Sequence, residues 1–301
     1  MSGVVIPYWL DRPVLEALAV ARAADALGYQ ELWMGGLYHF DVFALAGSVV
    51  GVTSSVTPVL GPLAAAVRDP VSIARGVASV ATLAGRPVRL ALGASNPGMV
   101  ERFHGRRFGS EPERMRRVVS EVRTQLETGR SPTGYRSALG PVESHISVAA
   151  FGPRMVAAAD EVADRMVLNL VTPEQAALLA GSVTIPTVAW VVAAFEPGEA
   201  TRRQVAGQVA HYLAAPGYTD MFIAAGFGNL VATAREGMPV AELAGRVPDE
   251  LLASVALYGS RVDIAERLER YRSAGVDVAF VPSTAEDPAG ERVLSVLRRL
   301  V

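Results

Sequence analysis

Short runs of apolar residues alternate with longer stretches of helical spacing along almost the entire chain. The short runs are rich in valine, leucine and isoleucine and end at glycine, proline or polar residues, which predicts buried β-strands. These runs cover residues 4–7, 31–36, 56–61, 88–93, 146–151, 166–169, 185–194 and 276–282. The stretches between them include 14–27, 42–51 and 111–128 and have the periodicity of helices, of which we expect 262–274 to be the last.

This regular alternation predicts an α/β fold, a single (β/α)8 TIM barrel in which residues 1–301 form one domain. Residues 201–254, after the seventh strand, have helical patterning broken by glycines and predict a helical cap over one end of the barrel. A doubly wound sheet would need a glycine-rich phosphate fingerprint near its start. The closest match, at residues 226–228, follows a helix and lacks the third glycine, so we favour the barrel.

One segment, residues 146–169, joins a strand, a helix and a second strand. The first strand ends at Phe151, and Gly152 and Pro153 favour a turn into a helix that begins near Arg154. The first amides of a helix lack intrahelical partners and carry the positive end of its dipole, so this point can hold a phosphate or a carboxylate. The same residues also suit an ordinary strand-to-helix turn that binds nothing.

Composition and charge narrow the classes of protein. The 301 residues are 50% hydrophobic and 19% charged, which is typical of a compact soluble protein with a sizeable core. A formal net charge of -2 gives no electrostatic basis for binding nucleic acid or an anionic membrane. The chain has no cysteine, no evident secretion signal and no apolar run long enough to span a membrane. We therefore expect a cytoplasmic protein whose partner is a small molecule.

In a TIM barrel the active site forms at the carboxyl ends of the strands, and the residues there argue against several kinds of catalysis. Of four histidines only His39 directly follows a strand, so a catalytic metal site is not expected. The chain has no lysine for a Schiff base, no G-x-S-x-G elbow and no paired carboxylates at strand ends. The strand ends carry mainly glycine, proline and small polar residues, which leave room for a flat ring. Such a site is typical of a protein whose bound cofactor performs the chemistry.

Several loose motifs gain weight from their order and spacing along the barrel pattern. They lie at residues 27–33, 68–70, 85–93, 151–154, 163–166 and 274–277. Together they resemble the bacterial luciferase-like superfamily, and more closely its branch of oxidoreductases that use the deazaflavin coenzyme F420, similar to methylene-tetrahydromethanopterin reductase. The resemblance spans nearly the whole chain.

The resemblance implies a cofactor site at three strand ends. In that family the flavin-type ring rests on a bulge after the third strand that contains a cis peptide, and the strand-four exit follows the ribityl chain toward the phosphate. The phosphate is then expected at the start of the helix after the fifth strand. The residues matched in this way are Gly61, Pro62, Leu63, Gly93, Ala94, Ser95, Asn96, Phe151, Gly152, Pro153 and Arg154.

Candidate catalytic and substrate residues are fewer. His39 is the imidazole best placed to act as acid or base beside the ring, and it is also compatible with a packing role. Tyr38, next to it, is a candidate substrate contact. His104 lies in an arginine-rich loop that either borders the substrate or is simply solvated.

Three functional hypotheses stay open on the sequence. The first is hydride transfer between F420 and a small organic substrate, and the second is an FMN-dependent monooxygenase of the luciferase type. The third is a non-catalytic flavin-binding barrel, which predicts a mouth filled by side chains instead of an open cleft. Family analogy favours a homodimer.

Overall fold

The computed structural model describes residues 2–36 and 40–301, and its centre is a closed ring of parallel β-strands. The strands are β1 (Ser2–Val5), β2 (Glu31–Met34), β3 (Thr57–Ala64), β4 (Arg89–Gly93), β5 (Ile146–Ala149), β6 (Arg165–Asn169), β7 (Thr187–Phe195), β8 (Ala256–Gly259) and β9 (Val276–Pro282). Strands β1 to β7 pair in sequence order, and β9 closes the ring by pairing with both β7 and β1. The predicted (β/α)8 barrel is therefore confirmed.

Helices cover the outside of the ring. They are α1 (Glu16–Ala26), α2 (Val42–Val50), α3 (Pro70–Ala84), α4 (Glu111–Thr128), α5 (Pro153–Val162), α6 (Pro173–Ala180), α7 (Glu199–Tyr212), α8 (Tyr218–Ala224), α9 (Gly228–Arg235), α10 (Val240–Arg246), α11 (Asp249–Val255), α12 (Arg261–Ser273) and α13 (Glu291–Arg298). A π-helical turn, Gly98–Phe103, follows β4. Helix α13 corrects the expectation that the helix near 262–274 is the last.

Helices α7 to α11 occupy the stretch where a cap is predicted, and an unpredicted strand, β8, follows them. Residues 192 and 193 of β7 pair with β9 on one edge and with β8 on the other edge. That second edge pairs with β6 at residues 187–190 of β7. Strand β8 is therefore outside the eight-stranded ring and continues its wall above β6.

One layer inside the ring consists of apolar side chains, each from a different strand. The members are Val5, Trp33, Val59, Ala91, Val167, Val188 and Ala279. Because successive strand residues alternate between the two faces, the residues two positions away on each strand form the layers below and above this one.

The layer below is polar and closed by ion pairs. Glu31 is 3% exposed, accepts hydrogen bonds from Arg89 and from Arg165 (3.1 Å), and accepts one from the indole nitrogen of Trp33 (3.2 Å). The Arg165 guanidinium also lies 4.8 Å from the centre of the Trp33 ring. This network fills the amino-terminal end of the barrel interior with paired charges.

A carboxylate on the outside ties α1 to the segment before β3. Asp25 accepts hydrogen bonds from the backbone amides of Ser54, Ser55 and Val56, each at 2.8 Å, and from both serine hydroxyls. Burial alone would raise the pKa of Asp25, but the amide donors outweigh it and hold that pKa well below its usual range.

Within residues 2–36 and 40–301, no helix combines the length and the apolar character needed to cross a bilayer.

Candidate functional site

The first feature of the candidate site is a bulge in β3. Leu60 pairs with Leu90 and Leu63 pairs with Leu92, so Gly61 and Pro62 together lie opposite one residue of β4. The Gly61–Pro62 peptide bond is cis, as the resemblance implied. A side chain at Gly61 would force the backbone to shift, because φ is +117° and a Cβ would lie 2.1 Å from the carbonyl oxygen of Ala91.

The exits of β3, β4 and β5 meet beside this bulge. A Cβ on Gly93 would lie 3.3 Å from the Cβ of Pro62 and 3.5 Å from the Cβ of Ala149, so these residues are immediate neighbours. The amide of Ala65 donates a hydrogen bond to the Gly93 carbonyl (3.0 Å), which fixes β3 beyond the bulge to β4. Gly93 is itself buried, and its lack of a side chain lets the three strand exits approach one another this closely.

The loop after β4 turns outward at once. Ala94 is half-buried, whereas Ser95 and Asn96 are exposed, and Ser95 has a φ of +63°. The Oδ1 atom of Asn96 accepts a hydrogen bond from the Met99 amide (3.0 Å) at the start of the π-helical turn. The Oδ1 atom is thus already engaged within the protein, and Nδ2 is the carboxamide atom that can donate a hydrogen bond to a ligand.

Helix α5 begins where the sequence predicts it. Gly152 is the N-cap, Pro153 is the first helical residue, and no side chain accepts a hydrogen bond from the first turn. Gly152 is exposed, and nothing lies within 4 Å of the place where its Cβ would be. Arg154 is 76% exposed and forms a 3.3 Å ion pair with Glu113 of α4, so its guanidinium is directed toward the helix layer.

The cap reaches this point through aromatic side chains. The ring of Phe151 stacks on Tyr218 of α8, with centroids 4.6 Å apart and planes inclined by 29°. Tyr218 packs in turn against Tyr212 of α7 (4.8 Å) and donates a hydrogen bond to the carbonyl of Asn169 at the end of β6 (3.0 Å). The cap is thus fixed to the exits of two neighbouring strands.

The sequence alone did not identify the aromatic residues at the floor of the mouth. Tyr8, Trp190, Ala149 and Val281 are half-buried and pack against the apolar layer inside the ring. Trp190 meets Trp33 edge to face at 5.6 Å, and the Tyr8 ring fills the space beside Gly35, 3.0 Å from where a Cβ there would lie. The strand alternation could have identified Trp190, because it lies two residues after Val188 and alternate residues of a strand share a face.

The remaining candidates are Tyr38, His39 and His104. Tyr38 and His39 lie outside the described residues. His104 is exposed and ends the π-helical turn after β4. No group of three or more histidine, aspartate or glutamate side chains in the described ranges is placed to hold a metal ion.

The mouth suits a planar ring that carries a phosphate. Small or absent side chains at Gly93 and Ala149 lie beside the Gly61–Pro62 bulge. The amino end of α5 is exposed, and its N-cap Gly152 has no side chain that could compete with a ligand for the amides of the first turn. These are the features that a flavin or deazaflavin phosphate needs.

Solved structures of several enzymes share this fold. The coenzyme F420-dependent tetrahydromethanopterin reductase from Methanopyrus kandleri superimposes with a TM-score of 0.80 at 15% identity, over 99% of this chain and 98% of the reductase. The oxygenating constituent of 3,6-diketocamphane monooxygenase from Pseudomonas putida, in complex with FMN, gives 0.69 at 14% identity, over 100% and 97% of the two chains. At these identities the likeness is one of fold.

Sequence comparison adds a relative and a family. A Mycobacterium tuberculosis protein named as a coenzyme F420-dependent oxidoreductase is 24% identical over 198 residues, which are 58% of this chain and 57% of that protein. The match thus spans little more than half of that relative's length. A sequence model of luciferase-like monooxygenases matches residues 10–278, which include β2 to β7 of the ring, the β3 bulge and the cap. The resemblance in the motifs is confirmed, and the chain belongs to the luciferase-like monooxygenase family, a family of oxidoreductases.

Proposed function

We propose that this protein is an oxidoreductase that transfers a hydride between coenzyme F420 and a small organic substrate. The observation that carries the proposal is the cis Gly61–Pro62 bulge beside Gly93, in a chain of this family. F420 is preferred to FMN because the Mycobacterium tuberculosis relative and the Methanopyrus kandleri reductase both carry F420 in their names.

In this proposal the chain holds the cofactor at three places. The bulge, with Leu63 beyond it, supports the ring, and the β4 exit from Gly93 to Asn96 follows the chain toward the phosphate. The amino end of α5, after Phe151, receives the phosphate through backbone amides, and Arg154 adds a positive charge nearby. The bound deazaflavin would supply the carbon that accepts or donates the hydride.

The protein's own contribution to the reaction is a proton and an enclosed site. His39 is proposed as the acid or base that exchanges a proton with the substrate, and Tyr38 and His104 as substrate contacts. The floor formed by Tyr8 and Trp190 favours a substrate with an apolar body. A His39→Asn variant is expected to lose the pH dependence of turnover near the histidine pKa, while retaining cofactor affinity.

The cofactor is tested by titrating the protein with F420 and, in parallel, with FMN, followed by absorbance and fluorescence. The same titrations on Gly152→Asp are expected to show no binding, because the added carboxylate repels a phosphate at the α5 amides. Gly152→Asn is the matched control. It places a side chain of the same size at the same position without the charge, where nothing lies within 4 Å of a Cβ. Equal loss of binding in both variants would count against the phosphate site.

The second candidate is an FMN-dependent monooxygenase. The match to the luciferase-like monooxygenase model and the fold shared with an FMN-bound oxygenase favour it. Tight binding of FMN together with no affinity for F420 would reverse our order. Binding of either cofactor without turnover of any alcohol, enone or pterin-like substrate would instead favour a non-catalytic flavin-binding barrel.

We further propose that the protein acts in the cytoplasm as a homodimer. Light scattering coupled to gel filtration tests the dimer. A mass equal to one chain of 31.7 kDa would refute it.

A further inference from the structure

We infer that Tyr218 is a positioning residue for the phosphate end of the cofactor site, through which an ordered cap becomes a condition for cofactor binding. The inference rests on the proposed function. Tyr218 belongs to the cap and reaches the described site through its neighbours, by two contacts of its phenol.

The first contact fixes the residue that precedes the α5 N-cap. The Tyr218 ring lies over Phe151 at 4.6 Å, and Phe151 is joined directly to Gly152. The α7–α8 turn comes this close because Gly217 has a φ of +89° and no side chain, since a Cβ there would lie 3.0 Å from the Phe151 ring. Rotation of Phe151 is therefore limited by the cap, and so is the backbone of the residue after it.

The second contact fixes the neighbouring strand. The Tyr218 hydroxyl donates to the carbonyl of Asn169, the last residue of β6, at 3.0 Å. Burial first, and Tyr212 second, raise the pKa of the Tyr218 phenol far above its usual value, so the hydroxyl stays protonated and remains a donor. One side chain thus links the β5 and β6 exits, between which α5 runs.

The other restraints at the amino end of α5 lie on its outer side or within the helix. Arg154 forms an exposed ion pair with Glu113, and the Gly152 carbonyl accepts hydrogen bonds from the Met155 and Val156 amides. Toward the strand exits, the turn that precedes the helix is held by the contacts of Phe151 with Tyr218. Loss of the Tyr218 contacts is expected to leave the helix folded but its first amides poorly oriented.

The test measures how much the phosphate adds to affinity. FMN is compared with riboflavin, and F420 with the deazaflavin alcohol that lacks the phosphate and everything beyond it. In each pair the dissociation constant of the compound without the phosphate, divided by that of the compound with it, isolates the phosphate end; we call this the phosphate ratio. Tyr218→Ala is expected to reduce the phosphate ratio by about tenfold, roughly the effect of one lost charge-assisted hydrogen bond. Tyr218→Phe keeps the stack and loses only the hydroxyl, so we expect a reduction of about threefold.

Tyr29→Phe is the matched control, because it removes the same kind of bond at the other end of the barrel. Tyr29 is buried and its hydroxyl donates to the carbonyl of Leu294 at 2.8 Å. This variant is expected to lower stability without changing the phosphate ratio. Hydrogen exchange provides a measurement that needs no cofactor: the amides of residues 152 and 154–156 should exchange faster in Tyr218→Ala than in the wild type.

The outcomes separate this inference from the function on which it rests. If the wild type binds neither phosphate-bearing cofactor, the proposed function fails and the inference fails with it. If the wild type binds one of them and Tyr218→Ala leaves the phosphate ratio unchanged, only the inference is overturned. An equal loss of affinity for both members of a pair also overturns it, because that result indicates a purely structural role.

Discussion

Gly61 provides the sharpest test of the site, because the structure leaves no room for even one additional carbon there. In Gly61→Ala the new Cβ would lie 2.1 Å from the Ala91 oxygen and 2.6 Å from the Leu63 nitrogen. It would have to move away by about 0.9 Å from the oxygen, the difference between 2.1 Å and the 3.0 Å below which such contacts essentially do not occur. Both obstacles are backbone atoms of the paired strands, so they cannot rotate away.

The expected cost has two parts. Overpacking in a close-packed region costs about 1 to 3 kcal/mol, and a non-glycine residue held at an unfavourable positive φ costs about 1 to 3 kcal/mol more. We therefore expect the free energy of unfolding to fall by about 2 to 6 kcal/mol, a large share of the roughly 5 to 15 kcal/mol that stabilises a typical domain. With a urea m-value of about 3 kcal/mol/M, the midpoint should fall by roughly 0.7 to 2 M.

Equilibrium unfolding in urea, followed by tryptophan fluorescence and by circular dichroism, measures this difference. Gly47→Ala in the interior of α2 is the control, because nothing lies within 4 Å of a Cβ at that position. It should stabilise the protein by about 0.5 to 1 kcal/mol, the usual advantage of alanine over glycine in a helix. If Gly61→Ala unfolds within about 0.5 kcal/mol of the wild type, the steric argument is wrong.

Three further predictions concern side chains that hold the barrel together. Asp25→Asn should lower the free energy of unfolding by about 1.5 to 3 kcal/mol at pH 7. Because the native pKa of Asp25 is depressed, this difference from the wild type should shrink as the pH falls below about 4. Glu31→Gln should cost about 3 to 5 kcal/mol in urea unfolding, since it leaves the buried guanidinium of Arg165 without its carboxylate. Ser260→Ala removes the α12 capping box formed with Asp263 and should cost about 1 kcal/mol in the same assay.

An exposed ion pair provides a comparison for the stability contributed by the buried Glu31–Arg165 pair. Glu199 and Arg203 are 3.6 Å apart on the surface of α7, with side chains 72% and 71% exposed. Glu199→Gln should change stability by less than about 0.5 kcal/mol. A similar small effect for Glu31→Gln would show that the barrel base is hydrated.

Hydrophobic periodicity was sufficient to predict the ring, because each of its strands is an apolar run that the barrel buries on both faces. Helix α4 was predicted with the same bounds as observed, since Gly129 ends it in a left-handed conformation (φ +69°). Helix α13 was missed although Val293, Leu294 and Leu297 have helical spacing and are buried. Those positions were sufficient to predict a helix after the last strand.

Other features could not be predicted locally. Strand β8 has four residues and follows α11 without a glycine or proline between them, so its extended conformation depends on its partner β7. The pairing of Arg154 with Glu113 depends on how α4 and α5 pack. The stack of Phe151 on Tyr218 joins residues 67 positions apart, and no pattern along the chain encodes such a distance. The glycines of the site were predicted, whereas the aromatic residues around them required the fold.

Strand β8 also bears on how this architecture can diversify. Its backbone hydrogen bonds anchor the returning end of the cap to β7, and at the departing end Glu286 accepts hydrogen bonds from the Gly198 amide and the Thr201 hydroxyl at 3.0 Å each. Both stems are thus secured to the barrel independently of the helices between them. Insertions, deletions and exchanges in α9 and α10 can therefore accumulate without disturbing the ring, which makes these two helices the natural place for selection or engineering to alter substrate choice.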